Sequence, residues 1–134
     1  MKAQIAVEYV MIVSIGLIII LIGSPYLFKT FTAYSDENRI SLAKNTVHKI
    51  GESADMVFSQ GQPAKMKIEV NIPEGIESVS FENKTILFKL KTSSGVNDVF
   101  YNTIPQLTGN LPIKSGNYYL SVAAYQDGVN ISVV

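Results

Sequence analysis

The sequence contains no cysteine, which excludes a disulfide framework, thiol chemistry and any cysteine-based metal site. It has one histidine, His48, so a metal centre would have to be assembled from carboxylates. It has no excess of charge of either sign: eleven Lys plus Arg stand against eleven Asp plus Glu. The balance is also local, because Lys29, Arg39, Lys44 and Lys49 are matched within residues 29–60 by Asp36, Glu37, Glu52 and Asp55. No stretch carries the basic surplus that counterion release on nucleic acid requires, so that class of partner is not expected. A glycine-rich phosphate loop, a nucleophile elbow and zinc-ligand spacing are all missing. Asp36 and Glu37 are adjacent, so on a helix they point about 100° apart and make no catalytic dyad; a solvated turn is their expected setting. His48 falls among alternating charges, as a surface or boundary residue does. Nothing resembles an active site; neither enzymatic activity, nor a metal, nor a cofactor is expected.

The positive content begins with an apolar run. From Tyr9 to Phe28 there are twenty residues without a formal charge, enough in helical form to cross ~30 Å of hydrocarbon. Its Ile and Val are mediocre helix formers in water. In a membrane the backbone must satisfy its own hydrogen bonds, which forces a helix regardless of propensity. Gly16 and Gly23 fall seven apart and leave one face open to a neighbouring helix. Pro25 removes one bond of the helical ladder, so a kink or a short unwound turn is expected there.

Residues 26–60 read as a second helical stretch continuing the first. Ile40, Ala43, Val47, Ile50, Ala54 and Val57 recur every three or four residues and lay an apolar stripe along one face. Gly61 suits a position just past a helix end and Pro63 bars continuation, so the helix should stop near Gln60. A continuous helix over residues 4–60 would be roughly 85 Å long, far more than a membrane requires. From Ala64 the period changes to two. Met66, Ile68, Val70 and Ile72 form one alternating set, Ile86, Phe88 and Leu90 a second, and Tyr118, Leu120, Val122 and Ala124 a third, each a strand with one buried face. Hairpin punctuation is expected at Pro73-Glu74-Gly75, Glu82-Asn83-Lys84, Ser94-Gly95, Ser115-Gly116-Asn117 and Asp127-Gly128. Five to seven antiparallel strands follow, one face covered by the helical stripe. Two Asn-x-Ser/Thr triplets, at Asn83 and Asn130, are candidate N-glycosylation acceptors, Asn83 the better because a hairpin tip is accessible.

Glu8 stands one turn into the apolar helix, where a carboxylate is costly unless paired. A secretory signal peptide has a shorter apolar core, and a plain signal anchor leaves the carboxylate unexplained. A cut before Gln4 accounts for both. It would create an α-amino cation one turn from Glu8, and in axially offset helices the carboxylate of one would pair with the amino terminus of its neighbour. The stretch "KAQIAVEY", Lys2 to Tyr9, resembles the class III signal peptide of archaeal type IV pilin-like proteins. These have a short basic leader, a small residue, then Gln, with an acidic residue and an aromatic opening the apolar helix. Ala6 stands where that family usually has Ser, and Pro25 stands where many of its members carry a helix-breaking proline. The resemblance implies that a pilin-type prepeptidase cuts between Ala3 and Gln4 and that the helix is retained, with Gln4 and Glu8 registering subunits in a filament.

The expected fold is α+β, a long N-terminal transmembrane and amphipathic helix followed by an antiparallel β-sheet or β-sandwich head. Its expected parts are a leader (residues 1–3), a transmembrane or filament-core helix (4–28), an amphipathic helix packing on the head (29–60) and the β head (61–134). The expected function is structural: a subunit of a type IV pilus-type filament serving surface adhesion. Its partners would be copies of itself or related pilins, the prepeptidase, the pilus assembly machinery and, before assembly, membrane lipid. The alternative is an unpolymerised, membrane-anchored ectodomain that binds a cell-surface ligand such as a glycan.

Overall fold

A computed structural model describes residues 1–134. One helix, α1 (Lys2–Gln60), is followed by seven strands. These are β1 (Lys65–Ile72), β2 (Ile76–Glu82), β3 (Thr85–Thr92), β4 (Gly95–Asn102), β5 (Gln106–Gly109), β6 (Gly116–Ala124) and β7 (Gly128–Val133). The class is α+β, a long apolar helix followed by β-sheets. Two compact units divide the chain, Met1–Ser35 and Asp36–Val134.

The first unit is helix throughout from Lys2. No unwound turn interrupts it at Pro25, because proline removes a single i→i−4 bond and its neighbours maintain theirs. The hydroxyls of Ser14 and Thr30 donate to the carbonyls of Val10 (2.7 Å) and Tyr26 (3.0 Å), so these side chains need no water.

In the second unit, the helical stripe is buried. Ala43, Val47, Ile50, Ala54 and Val57 are fully inaccessible, and Ile40 is packed at the edge of the same core. The helix ends at Gln60 as its punctuation requires: Gly61 takes φ +73°, and its N–H donates to Phe58 O at 3.1 Å. The three alternating segments are strands with the expected buried sets, Ile68, Val70 and Ile72 in β1, Ile86, Phe88 and Leu90 in β3, and Leu120, Val122 and Ala124 in β6.

The strands form two sheets, one ordered β1-β6-β7-β5 and one β2-β3-β4. Both contribute to a single core with α1. Of the two expected heads, a single sheet or a sandwich, the chain forms the one with two sheets, and the helical stripe packs into their common core. Three of the five hairpin signals close hairpins: β2–β3, β3–β4 and β6–β7. Pro73-Glu74-Gly75 instead carries the chain from one sheet to the other, and Ser115-Gly116-Asn117 leads into β6, whose partners are β1 and β7. Turn chemistry reports a reversal of direction; it does not report which strand receives the chain. The all-antiparallel expectation also fails at β5, which pairs in parallel with β7 (Leu107↔Val129). Glycine makes this approach possible. A Cβ on Gly128 would stand 2.3 Å from Gln106 O, and one on Gly109, at φ +137°, 1.9 Å from Ile131 O.

Side chains of α1 pin the loops of the second unit. Asp36 accepts from both the hydroxyl and the N–H of Ser93, at the β3–β4 turn. The expected solvated turn at Asp36-Glu37 is therefore corrected: both residues are helical, and Asp36 is spent on a loop contact. Thr46 donates to Asn71 O in β1, and Asp55 accepts from the N–H of Ile104 at 2.8 Å. Arg39 and Glu74, 3.6 Å apart and exposed, contribute little.

The Ser93 hydroxyl, then its N–H, hold the Asp36 carboxyl below its ordinary value of 3.8, with Arg39 assisting. A lowered folded-state pKa adds stability above the unfolded value, and that contribution fades as pH falls through the folded one. Wild type is therefore expected to melt slightly above Asp36→Asn at pH 6, with the gap closing toward pH 2. Parallel melts of the two proteins over that range check this. A gap of constant size would show that the contact does not act through charge.

Gly51 is a helical glycine with a packing role. A Cβ there would lie 2.1 Å from Cδ1 of Tyr101, and the ring is further held by His48 edge-on at 4.9 Å. Burial, then the carboxylates of Asp55 and Glu52, push the Tyr101 phenol above its ordinary 10.0, so it remains protonated in neutral solution. Alanine at 51 gains about 1 kcal/mol of helix propensity, but overpacking against a fixed ring costs about 1–3 kcal/mol. Gly51→Ala is expected to lower the melting temperature by several degrees, and the loss should shrink in a Tyr101→Leu background. Equal losses in both backgrounds would place the conflict elsewhere.

Candidate functional site

The residues singled out by the sequence at the start of α1 share one surface. Ala3, Gln4, Val7 and Glu8 border an open hollow on the helix, as spacings of three and four require. The Ala3–Gln4 peptide lies in the first helical turn, whose N–H groups have no helical acceptors. The Ile5 N–H bond to Met1 O is long, at 3.4 Å, so little resists local opening.

Glu8 has no cationic partner in its own chain, where the ion pair formed is Arg39–Glu74. The residues that follow are apolar and uncovered: Ile12 is 70% exposed, Leu21 71% and Phe28 73%. No residue from Met1 to Tyr34 is buried. This length of α1 is long and apolar enough to cross a membrane. At Gly16 and Gly23 an added Cβ would meet nothing within 4 Å, leaving both free for an approaching helix. A continuous apolar surface of this size is stable only under lipid or protein.

Asn83 and Asn130 are differently placed. Asn83 is exposed in the β2–β3 turn with φ +53°, a conformation asparagine tolerates. Asn130 is half-buried within β7, between Ala123 of β6 and Thr108 of β5. His48 is exposed, with its ring against Tyr101.

A second concave surface had no signal in the sequence. Gln62, Gln106, Tyr125 and Asp127 come together where the end of α1 meets the β5–β7 pairing and the β6–β7 turn. Tyr125 and Asp127 share the β6–β7 turn, the parallel β5–β7 register brings Gln106 to it, and the β1–β6 pairing brings the segment at Gln62. No protein-family model matches the chain, and neither does any curated protein or solved structure.

Proposed function

We propose that the chain is a structural subunit of an archaeal type IV pilus-type extracellular filament, assembled through its apolar helix and serving surface adhesion. One observation supports this reading above the others: Glu8 lies without a partner beside a fully uncovered apolar helix that precedes a folded β head. Lipid satisfies the apolar surface of the stored precursor but gives the carboxylate no counter-charge. A neighbouring helix with a freed α-amino group satisfies both. A pilin-type prepeptidase would cut Ala3–Gln4 after the first turn opens, and Ile5 to Gly23 would then line the filament core. The head would remain outside the cytoplasm, with Asn83 the more accessible glycan acceptor.

The test is electron microscopy of sheared cell-surface material together with intact-mass measurement of the protein from its native host. Filaments containing this chain, lacking Met1 to Ala3, are the expected result. Retention of Met1, or a cut beyond Gly23, would remove the pilin assignment. A processed chain found only as monomers in the membrane would favour the ligand-binding ectodomain instead.

A further inference from the structure

We propose that the end of the head at which α1 stops carries a groove for neutral oligosaccharides, centred on Tyr125. Two hollows of about 490 and 370 Å³ are both bordered by Gln62 and Tyr125, which gives the surface an elongated form. The larger is lined by Gln62, Gln106, Thr108, Tyr125, Gln126 and Asp127: three amides, two hydroxyls and one carboxylate. Each amide offers two donors and an acceptor, which suits sugar hydroxyls because every one of them donates and accepts. No cation stands in this hollow to attract an anion. The smaller hollow has Lys65 at its border beside the small side chains Ala64, Ala123 and Ala124, and Lys65 and Asp127 leave the pair of hollows without net charge. Tyr125, 54% exposed between them, presents a flat apolar face with a polar tip, the combination on which the C–H face of a sugar ring stacks.

The groove is built on fixed backbone. The Tyr125 N–H donates to Gly128 O at 2.8 Å, which closes the β6–β7 turn. The Ala124 N–H donates to Ala64 O at 2.9 Å and ties that turn to the segment leaving α1. Gln106 is held opposite Gly128 by the parallel register, at a closeness that only a glycine admits. The polar side chains are not consumed by the fold: among the six, only Thr108 makes a side-chain bond, a long one to Val129 O at 3.4 Å. All six side chains are exposed, and their polar groups are free to exchange hydrogen bonds with a ligand.

This assignment deepens the adhesion named in the proposed function and rests on it only for its biological purpose. Full-length protein in a detergent without a sugar headgroup is applied to an array of neutral, sialylated and sulfated oligosaccharides and of unstructured peptides. Hits are then titrated calorimetrically. Neutral oligosaccharides should bind. Tyr125→Ala should weaken them at least about tenfold and Gln106→Ala about threefold, while Tyr119→Ala, an exposed tyrosine of the same strand pair, leaves affinity unchanged. Thermal melts of each variant establish that the head stays folded. The proposal is overturned if no neutral glycan binds, if only acidic glycans or peptides bind, or if folded Tyr125→Ala binds as tightly as the parent. Filaments that bind no sugar would remove this site and keep the filament; sugar binding by a chain that forms no filaments would do the reverse.

Discussion

Ile50→Asp will unfold the head. Ile50 is fully inaccessible at the centre of the helical stripe, in one core with Phe88 and Leu90 of one sheet and Leu120 and Val122 of the other. Aspartate there loses the burial of a large aliphatic side chain, about 2–5 kcal/mol on truncation alone. It must also either carry an unpaired charge into the core or take up a proton and leave a polar group unsatisfied. The sum approaches the 5–15 kcal/mol by which domains of this size are stable. Near-UV circular dichroism of the tyrosines, in detergent-solubilised full-length protein, should show no cooperative melt for Ile50→Asp. Met56→Asp is the control: Met56 lies on the same helix but is 51% exposed, and its replacement should move the midpoint little. If Ile50→Asp melts as the parent does, the stripe is not the element that closes the core.

What the residues disclose in advance is set by the range of the interactions involved. The stripe from Ile40 to Val57 and the alternations in β1, β3 and β6 are local patterns, each fixing which side of one element is buried, and they were legible. The stop at Gln60 was legible too, because Gly61 and Pro63 act on their own backbone. The choice between one sheet and a two-sheet sandwich was not, since Gly75 permits a turn whether or not β2 returns to β1. Nor was the parallel β5–β7 pair: β5 is four residues long, Gln106 to Gly109, too short to show a period. Its partner is selected by the close approach allowed at Gly109 and Gly128. Gly51 reads in sequence as a weak point of a helix, and only the position of Tyr101, fifty residues on, gives it a purpose. The same holds for the sites. Ala3, Gln4 and Glu8 were legible because one helical turn contains them, whereas the groove at Tyr125 exists only through long-range register.

Glu8→Gln should abolish most filament formation while leaving the precursor inserted and the head folded. The uncharged run from Tyr9 to Phe28 suffices to span without Glu8, and Glu8 lies outside the compact head unit, so neither insertion nor head folding depends on the carboxylate. Glutamine keeps the size and hydrogen-bonding capacity but not the charge. In the filament reading, the α-amino group of Gln4 on a neighbouring subunit would then be buried without a counter-charge. Removing one partner of a buried ion pair costs about 3–5 kcal/mol. At 1.4 kcal/mol per factor of ten, the association of subunits should weaken at least about a hundredfold, and filament yield should fall with it. Glu8→Lys should do worse, since it sets two like charges together where the dielectric is low. Fractionation into membrane-bound and sheared material, quantified by immunoblot for the three proteins, measures the effect. If Glu8 simply rests among lipid headgroups and pairs with nothing, Glu8→Gln and wild type will give equal yields. Filament assembly would then proceed without the one charged side chain between Gln4 and Phe28.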